Sequence, residues 1–98
     1  MEKLFVYGTL KKPEIQKSVF GRIAESSSEV LLDFTRSKIK INNNKYPIIL
    51  PKKGRYVKGL FFLVSSKELN LIDDYETNSY RRQKVFLKSG KSAWVYMK

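Results

Sequence analysis

The sequence predicts an α+β fold, a small mixed β-barrel with two short flanking helices. Runs of β-branched and aromatic residues outnumber helical patterns along the chain. Its 98 residues suffice for one domain (residues 1–98) with one core, not for two. So many strands in so short a chain have to curl to cover their apolar faces, and that curl points to a barrel carrying two helices.

Taken in order, Leu4-Phe5-Val6-Tyr7 is a β-type run that stops at Gly8, so a strand is expected over residues 3–7. Pro13 suits the first turn of a helix, where its missing N–H costs nothing, and Gly21 suits the left-handed residue that closes it after Phe20. Ile15 and Val19, four apart, share that helix's inner face. Strands are expected at residues 29–34, 36–41, 48–50 and 56–64, divided by the turn-prone Ser26-Ser27-Ser28, Asn42-Asn43-Asn44 and Lys52-Lys53-Gly54. Ser65-Ser66-Lys67-Glu68 has the spacing of a capping box and starts a helix running through Asp74 or Tyr75. Two closing strands, residues 84–88 and 93–97, flank the Ser89-Gly90 turn. No repeat, linker or low-complexity segment interrupts them.

Composition narrows the chemistry. Hydrophobic residues at 42% and aromatics at 13% describe a folded chain. The longest apolar run, residues 59–64, is too short to cross a bilayer, and Met1-Glu2-Lys3 leads directly into a strand-like run, so a cytoplasmic protein without membrane contact is expected. The absence of cysteine removes disulfides, thiolate nucleophiles and Cys-bound zinc, and the absence of histidine removes the commonest general base and metal ligand. Catalysis would rest on Asp, Glu, Tyr, Lys, Ser or Thr, with no metal and no cofactor expected. The net charge of +11 is large enough to attract polyanions. The cations are spread, however: Arg36, Lys38 and Lys40 alternate with Ser37, Ile39 and Ile41, the pattern of a strand's wet face. Solvated faces are favoured over a nucleic-acid surface.

One residue breaks the pattern. On the 65–75 helix, at about 100° per residue, Leu69, Ile72, Leu71 and Tyr75 are read as an apolar arc, and Glu76 projects between Leu69 and Ile72. Asp74 points away and Asp73 lies at the edge. A carboxylate held against apolar surface loses hydration, so its pKa rises and it becomes a proton acceptor suited to neutral pH. The alternative puts Glu76 just past the helix end, paired with Arg81 or Arg82. At the other end of the chain, Phe5-Val6-Tyr7-Gly8-Thr9-Leu10 delivers an aromatic and a glycine into a turn whose free N–H groups can cup an anion.

With Tyr46-Pro47, residues 57–64 (VKGLFFLV), residues 72–76 (IDDYE) followed by Tyr80 and Arg82, and residues 93–97 (AWVYM), the FVYGTL stretch forms an ordered set over nearly the whole chain. The set resembles the gamma-glutamylcyclotransferase-like superfamily, particularly its gamma-glutamylamine cyclotransferase branch. The resemblance implies a β-barrel with a pocket at one end, in which the residue matching Glu76 is the general acid/base. It also implies a cyclotransferase that releases 5-oxoproline from a small γ-glutamyl amine or γ-glutamyl peptide, acting as a monomer or weak homodimer.

Further positions carry two readings each. Tyr7 lines the pocket or is core; Gly8, Thr9 and Leu10 bind the substrate α-carboxylate through backbone N–H groups or form an ordinary turn. Tyr46, held extended before Pro47, lines the pocket or packs on the barrel. Tyr80 and Arg82 match the family's Tyr-x-Arg pattern, but Arg82 is equally suited to partner Asp73. Trp94, alternating with Val95 and Tyr96 on a strand, is read as packing. The chain departs from the family at Thr77, where many relatives have glycine, and at Ile72 in place of leucine. Two functions of different class remain: the cyclotransferase, and a non-catalytic basic barrel that binds nucleic acid or another polyanion. A ligand-binding relative that has lost the chemistry lies between them.

Overall fold

The computed structural model describes residues 1–98. Strand β1 (Glu2–Val6) leads through a 3-10 turn (Thr9–Lys11) into helix α1 (Pro13–Phe20). Strands β2 (Ser26–Ile41) and β3 (Asn44–Val64), helix α2 (Ser66–Glu76), a second 3-10 turn (Thr77–Ser79), and strands β4 (Arg81–Phe86) and β5 (Ser92–Met97) follow. The five strands make one sheet in the order β2-β3-β1-β5-β4. β1 runs antiparallel to β3 and parallel to β5, so the sheet is mixed. It curls into a half-barrel whose far edges are clasped by the β4–β5 loop: the Lys88 N–H donates to the Val30 carbonyl at 2.8 Å and the Ser89 hydroxyl to Glu29 at 3.0 Å.

Because successive side chains on a strand point to opposite faces, β1 serves two cores. Leu4 and Val6 pack outward with Phe20 of α1 and Leu69 and Ile72 of α2. Phe5 and, just beyond the strand, Tyr7 pack into the barrel with Leu31, Val57 and Val95. The apolar run at the start of the chain is therefore a central strand buried on both faces.

Local chemistry holds both helices as expected. Pro13 opens α1, and Gly21 closes it at φ 85°. At α2 the Ser65 hydroxyl accepts from the Glu68 N–H at 3.1 Å, while the Glu68 carboxylate accepts from the Ser65 N–H at 2.8 Å. Glu68 also takes both arms of Arg22, at 2.6 and 2.9 Å, which ties the exit of α1 to the entry of α2. That pairing is the main reason the Glu68 carboxyl is held down at about 2.

Four expectations need correction. Ser26–Ser28 is not a turn: it lies in β2 opposite Leu60–Phe62, because backbone pairing along β3 outweighs the weak turn preference of serine. Lys52-Lys53-Gly54 does not end a strand. The register passes from Leu32↔Tyr56 to Phe34↔Pro51, so residues 52–55 stand against Asp33 alone in a bulge. Gly54 at φ 84° donates its N–H to the Asp33 carboxylate at 3.0 Å, and Asp33 itself adopts φ 65°. A turn-like sequence here bends a long ladder without breaking it. Leu71, expected in the apolar arc, is exposed, since it lies about 200° round the helix from Leu69. Only Asn42-Asn43, at φ 49° and 67°, makes a hairpin turn of the left-handed type that asparagine tolerates. β4 also starts earlier than expected, its polar Arg81-Arg82-Gln83 pairing with Val95–Met97.

No helix is long and apolar enough to cross a membrane.

Candidate active site

Beyond β1 the chain carries Tyr7 inward, and its buried hydroxyl donates to the Tyr96 carbonyl at 2.6 Å. Burial raises the Tyr7 pKa well above the ordinary tyrosine value, so it stays a neutral donor. The chain then turns tightly. Lys11 and Lys12 donate their N–H groups to the carbonyls of Gly8 and Thr9 at 3.1 and 3.0 Å. The Leu10 carbonyl accepts from the side-chain amide of Gln16 at 3.0 Å, and the Gln16 oxygen accepts from the Ala24 N–H at 2.9 Å. Gln16 is a polar residue inside the core, and it braces the turn from behind. The carbonyls of residues 8–10 are thus engaged, whereas none of the backbone hydrogen bonds outside the helices and strands is donated by Gly8, Thr9 or Leu10. Such a turn, with its carbonyls tied back and the Gly8 N–H without a backbone acceptor, is suited to an anion.

Glu76 is the last residue of α2, and it enters the same cavity of about 440 Å³ as Tyr7, Gly8, Thr9 and Leu10. Ile72, four residues earlier, is fully buried beneath it, which orients this face of the helix toward the core. The chain's ion pairs join Arg22 to Glu68, Arg82 to Asp73 and Lys91 to Glu29, and none involves Glu76. Burial, with the negative charge of Asp73 adding to it, raises the Glu76 pKa to about 7. Pairing with Arg81 or Arg82 is not found: Arg81 donates to the Lys98 carbonyl at 3.3 Å, and Arg82 holds Asp73.

Asp73, three residues before Glu76, is in the opposite condition. Arg82 donates to it twice, at 2.7 and 3.0 Å, and the Tyr96 hydroxyl donates at 2.6 Å. Burial pushes its carboxyl up, but these donors outweigh that effect and hold it below the usual range. Two nearby carboxylates are set apart by their partners, the arrangement that separates a structural acid from a chemical one.

Of the residues singled out from sequence, Tyr7, Gly8, Thr9, Leu10, Tyr46, Glu76 and Tyr80 line this one cavity. Tyr80 is fixed by donating its hydroxyl to the Pro47 carbonyl at 2.7 Å. Arg82 does not line it; besides clamping Asp73, it lies over the Trp94 ring at 4.6 Å. Sequence reasoning missed five contributors. Tyr75 lines the cavity and shares a hydrogen bond with the Thr9 hydroxyl at 2.7 Å; Tyr96 reaches it from β5 and Ser79 from the second 3-10 turn; and Ile41 and Asn42 arrive from the tip of the β2–β3 hairpin. Tyr75 directly precedes Glu76 and carried a signal. The hairpin tip carries none, because its approach depends on the length of two strands that local turn signals divide in the sequence.

A curled mixed half-barrel with two helices, its mouth formed by a glycine turn and an inward glutamate, is a protein of the gamma-glutamylcyclotransferase-like superfamily. The family model for gamma-glutamyl cyclotransferase, AIG2-like proteins matches residues 4–98, and the chain belongs to that family. It is similar to AIG2-like protein D of Arabidopsis thaliana, 36% identical over 86 residues that make 87% of this chain and 55% of the relative. AIG2-like protein C of the same plant is 34% identical over 87 residues, 84% of this chain and 47% of the relative. The chain spans about half the length of the curated relatives it matches. Among solved structures, that of an Arabidopsis thaliana protein in solution has a TM-score of 0.82 at 29% identity, covering 98% of this chain and 67% of that one. A gamma-glutamyl cyclotransferase has a TM-score of 0.79 at 19% identity, covering 98% and 65%, a likeness of fold.

Proposed function

We propose that the chain is a cyclotransferase that releases 5-oxoproline from a small γ-glutamyl compound, with Glu76 as general acid/base. The observation that carries this is the shared cavity: a carboxylate outside every ion pair, with a pKa raised to about 7, beside the tight Gly8–Leu10 turn whose carbonyls are tied back. The α-carboxylate of the substrate lies on the N–H groups of Gly8 to Leu10, and the adjacent ammonium lies at Glu76. Glu76 takes a proton from that ammonium. The freed amine attacks the γ-carbonyl of the same molecule, a ring C–N bond forms, and the γ C–N bond breaks. The ring nitrogen then gives up its second proton, and the departing amine, receiving through Glu76 the protons the α-nitrogen has lost, leaves as an ammonium. Because the reacting atoms belong to one molecule, the enzyme needs no nucleophile of its own, which suits a chain without cysteine or histidine. Tyr7 and Tyr80, both fixed by hydrogen bonds, shape the walls. The chemistry calls on no cofactor, and its small polar substrates fit a cytoplasmic protein.

The test is a screen of γ-glutamyl amines, amino acids and peptides, read by release of 5-oxoproline. Release from at least one class is expected; its absence across all of them removes the reading.

A further inference from the structure

Beside the cavity that holds Glu76 lies a second groove of about 300 Å³, whose lining includes Lys40 and Ile41 of the hairpin, Ser79 and Tyr80 after α2, Arg81 at the start of β4, and Lys98 beyond β5. It shares Ile41, Ser79 and Tyr80 with the first cavity and none of residues 7–10, so it continues from the side away from the anion-binding turn. No Asp or Glu lines it. Lys40 takes part in none of the chain's ion pairs, and Arg81 engages only Nε, on the main-chain oxygen of Lys98, which lines the same groove. The contrast with the neighbouring arginines is plain, since Arg22 and Arg82 each hold a carboxylate with two nitrogens. Three basic residues, Lys40, Arg81 and Lys98, line one groove that has no acidic side chain in its lining, and together they create a field that favours an anion.

The orientation of the substrate gives the groove a task. With the α-carboxylate and ammonium held at the turn and Glu76, the γ-amide and everything beyond it point away from the turn. Resting on the cyclotransferase reading, we infer that the groove receives the departing amine, and that Lys40 and Arg81 select γ-glutamyl amino acids or peptides, whose amine carries a carboxylate, over simple γ-glutamyl amines.

The experiment compares γ-glutamylalanine with γ-glutamylalaninamide, which differ by one charge on the departing amine. For wild type, kcat/KM is expected to favour the acid by about tenfold, an advantage of the size two partly exposed ion pairs supply, and to lose that advantage as salt rises. In the Lys40→Gln/Arg81→Gln variant the ratio should fall toward unity, with the acid losing far more than the amide. A wild-type ratio near unity, or equal loss for both compounds in the variant, overturns the assignment. If wild type turns over neither compound, the screen of γ-glutamyl compounds decides cyclotransferase chemistry separately, and calorimetric binding decides the groove. Tighter binding of the acid that the double variant abolishes supports it; equal or absent binding of both overturns it.

Discussion

Asp73 and Glu76 stand one helical turn apart on α2, yet Asp73 is held by Arg82 and Tyr96 while Glu76 is in none of the ion pairs and faces a cavity. The partnered carboxylate stays charged, and its charge is one of the two causes that raise the other. A proton acceptor near neutral pH thus arises from burial and a neighbour, with no histidine in the chain.

The first prediction is a pH profile. Glu76 must be ionised to accept a proton, so kcat/KM for a γ-glutamyl substrate should rise as pH passes upward through about 7. Steady-state rates of 5-oxoproline formation from pH 5 to 9 check it. A limb near 4.5, the ordinary glutamate value, would mean that burial does not tune the group.

Stability should move the other way. A carboxyl raised from 4.5 unfolded to about 7 folded favours the proton-bound native state, so its contribution is best below 4.5, declines between 4.5 and 7, and stays low above. Glu76→Gln removes the ionisation and should stabilise the protein at pH 8 by about 1–3 kcal/mol, the order expected for a shift of this size. Urea denaturation at pH 5 and pH 8 reads the difference. An equal dependence on pH in wild type and variant would contradict it.

Thr77 follows Glu76 at φ 63° and ψ −171°, where a β-branched residue is strained. Thr77→Gly should therefore raise stability by about 1 kcal/mol, the strain relieved outweighing the extra chain entropy of glycine. A lower denaturation midpoint would show that this backbone is unstrained. The departure from the glycine expected by resemblance would then have no cost.

Gly59 on β3 lets β1 approach closely. A Cβ there would press on the Val6 carbonyl and lie 2.7 Å from the Phe5 ring, two atoms of a central strand that cannot retreat. Gly59→Ala should cost about 1–3 kcal/mol, the range for overpacked cores, measured by thermal or urea unfolding. A neutral change would mean that the two strands can separate without loss.

Much of this was legible in the sequence because the relevant signals are local. The β-type run of residues 4–7, the Ser65–Glu68 spacing and the helical phase of Glu76 each depend on a few neighbours. The rest depends on distant pairing. Lys52-Lys53-Gly54 uses the same residues for a bulge as for a turn, and only its pairing opposite Asp33 distinguishes them. Misreading it hid one long hairpin among several short strands, and with it the arrival of Ile41 and Asn42 at the cavity. Arg82 had two plausible partners in sequence, and Asp73 takes it by a bidentate geometry that one-dimensional spacing does not reveal.

The most direct test of catalysis at Glu76 is the rate of 5-oxoproline formation by wild type and by Glu76→Gln, side by side, with the fold of each verified by circular dichroism. The substitution keeps the size of the side chain and removes the base. General acid/base chemistry predicts measurable turnover by wild type and a loss of at least about 10²-fold in the variant, the lower end of what a positioned proton acceptor contributes. A folded Glu76→Gln protein that forms 5-oxoproline at the wild-type rate would contradict it.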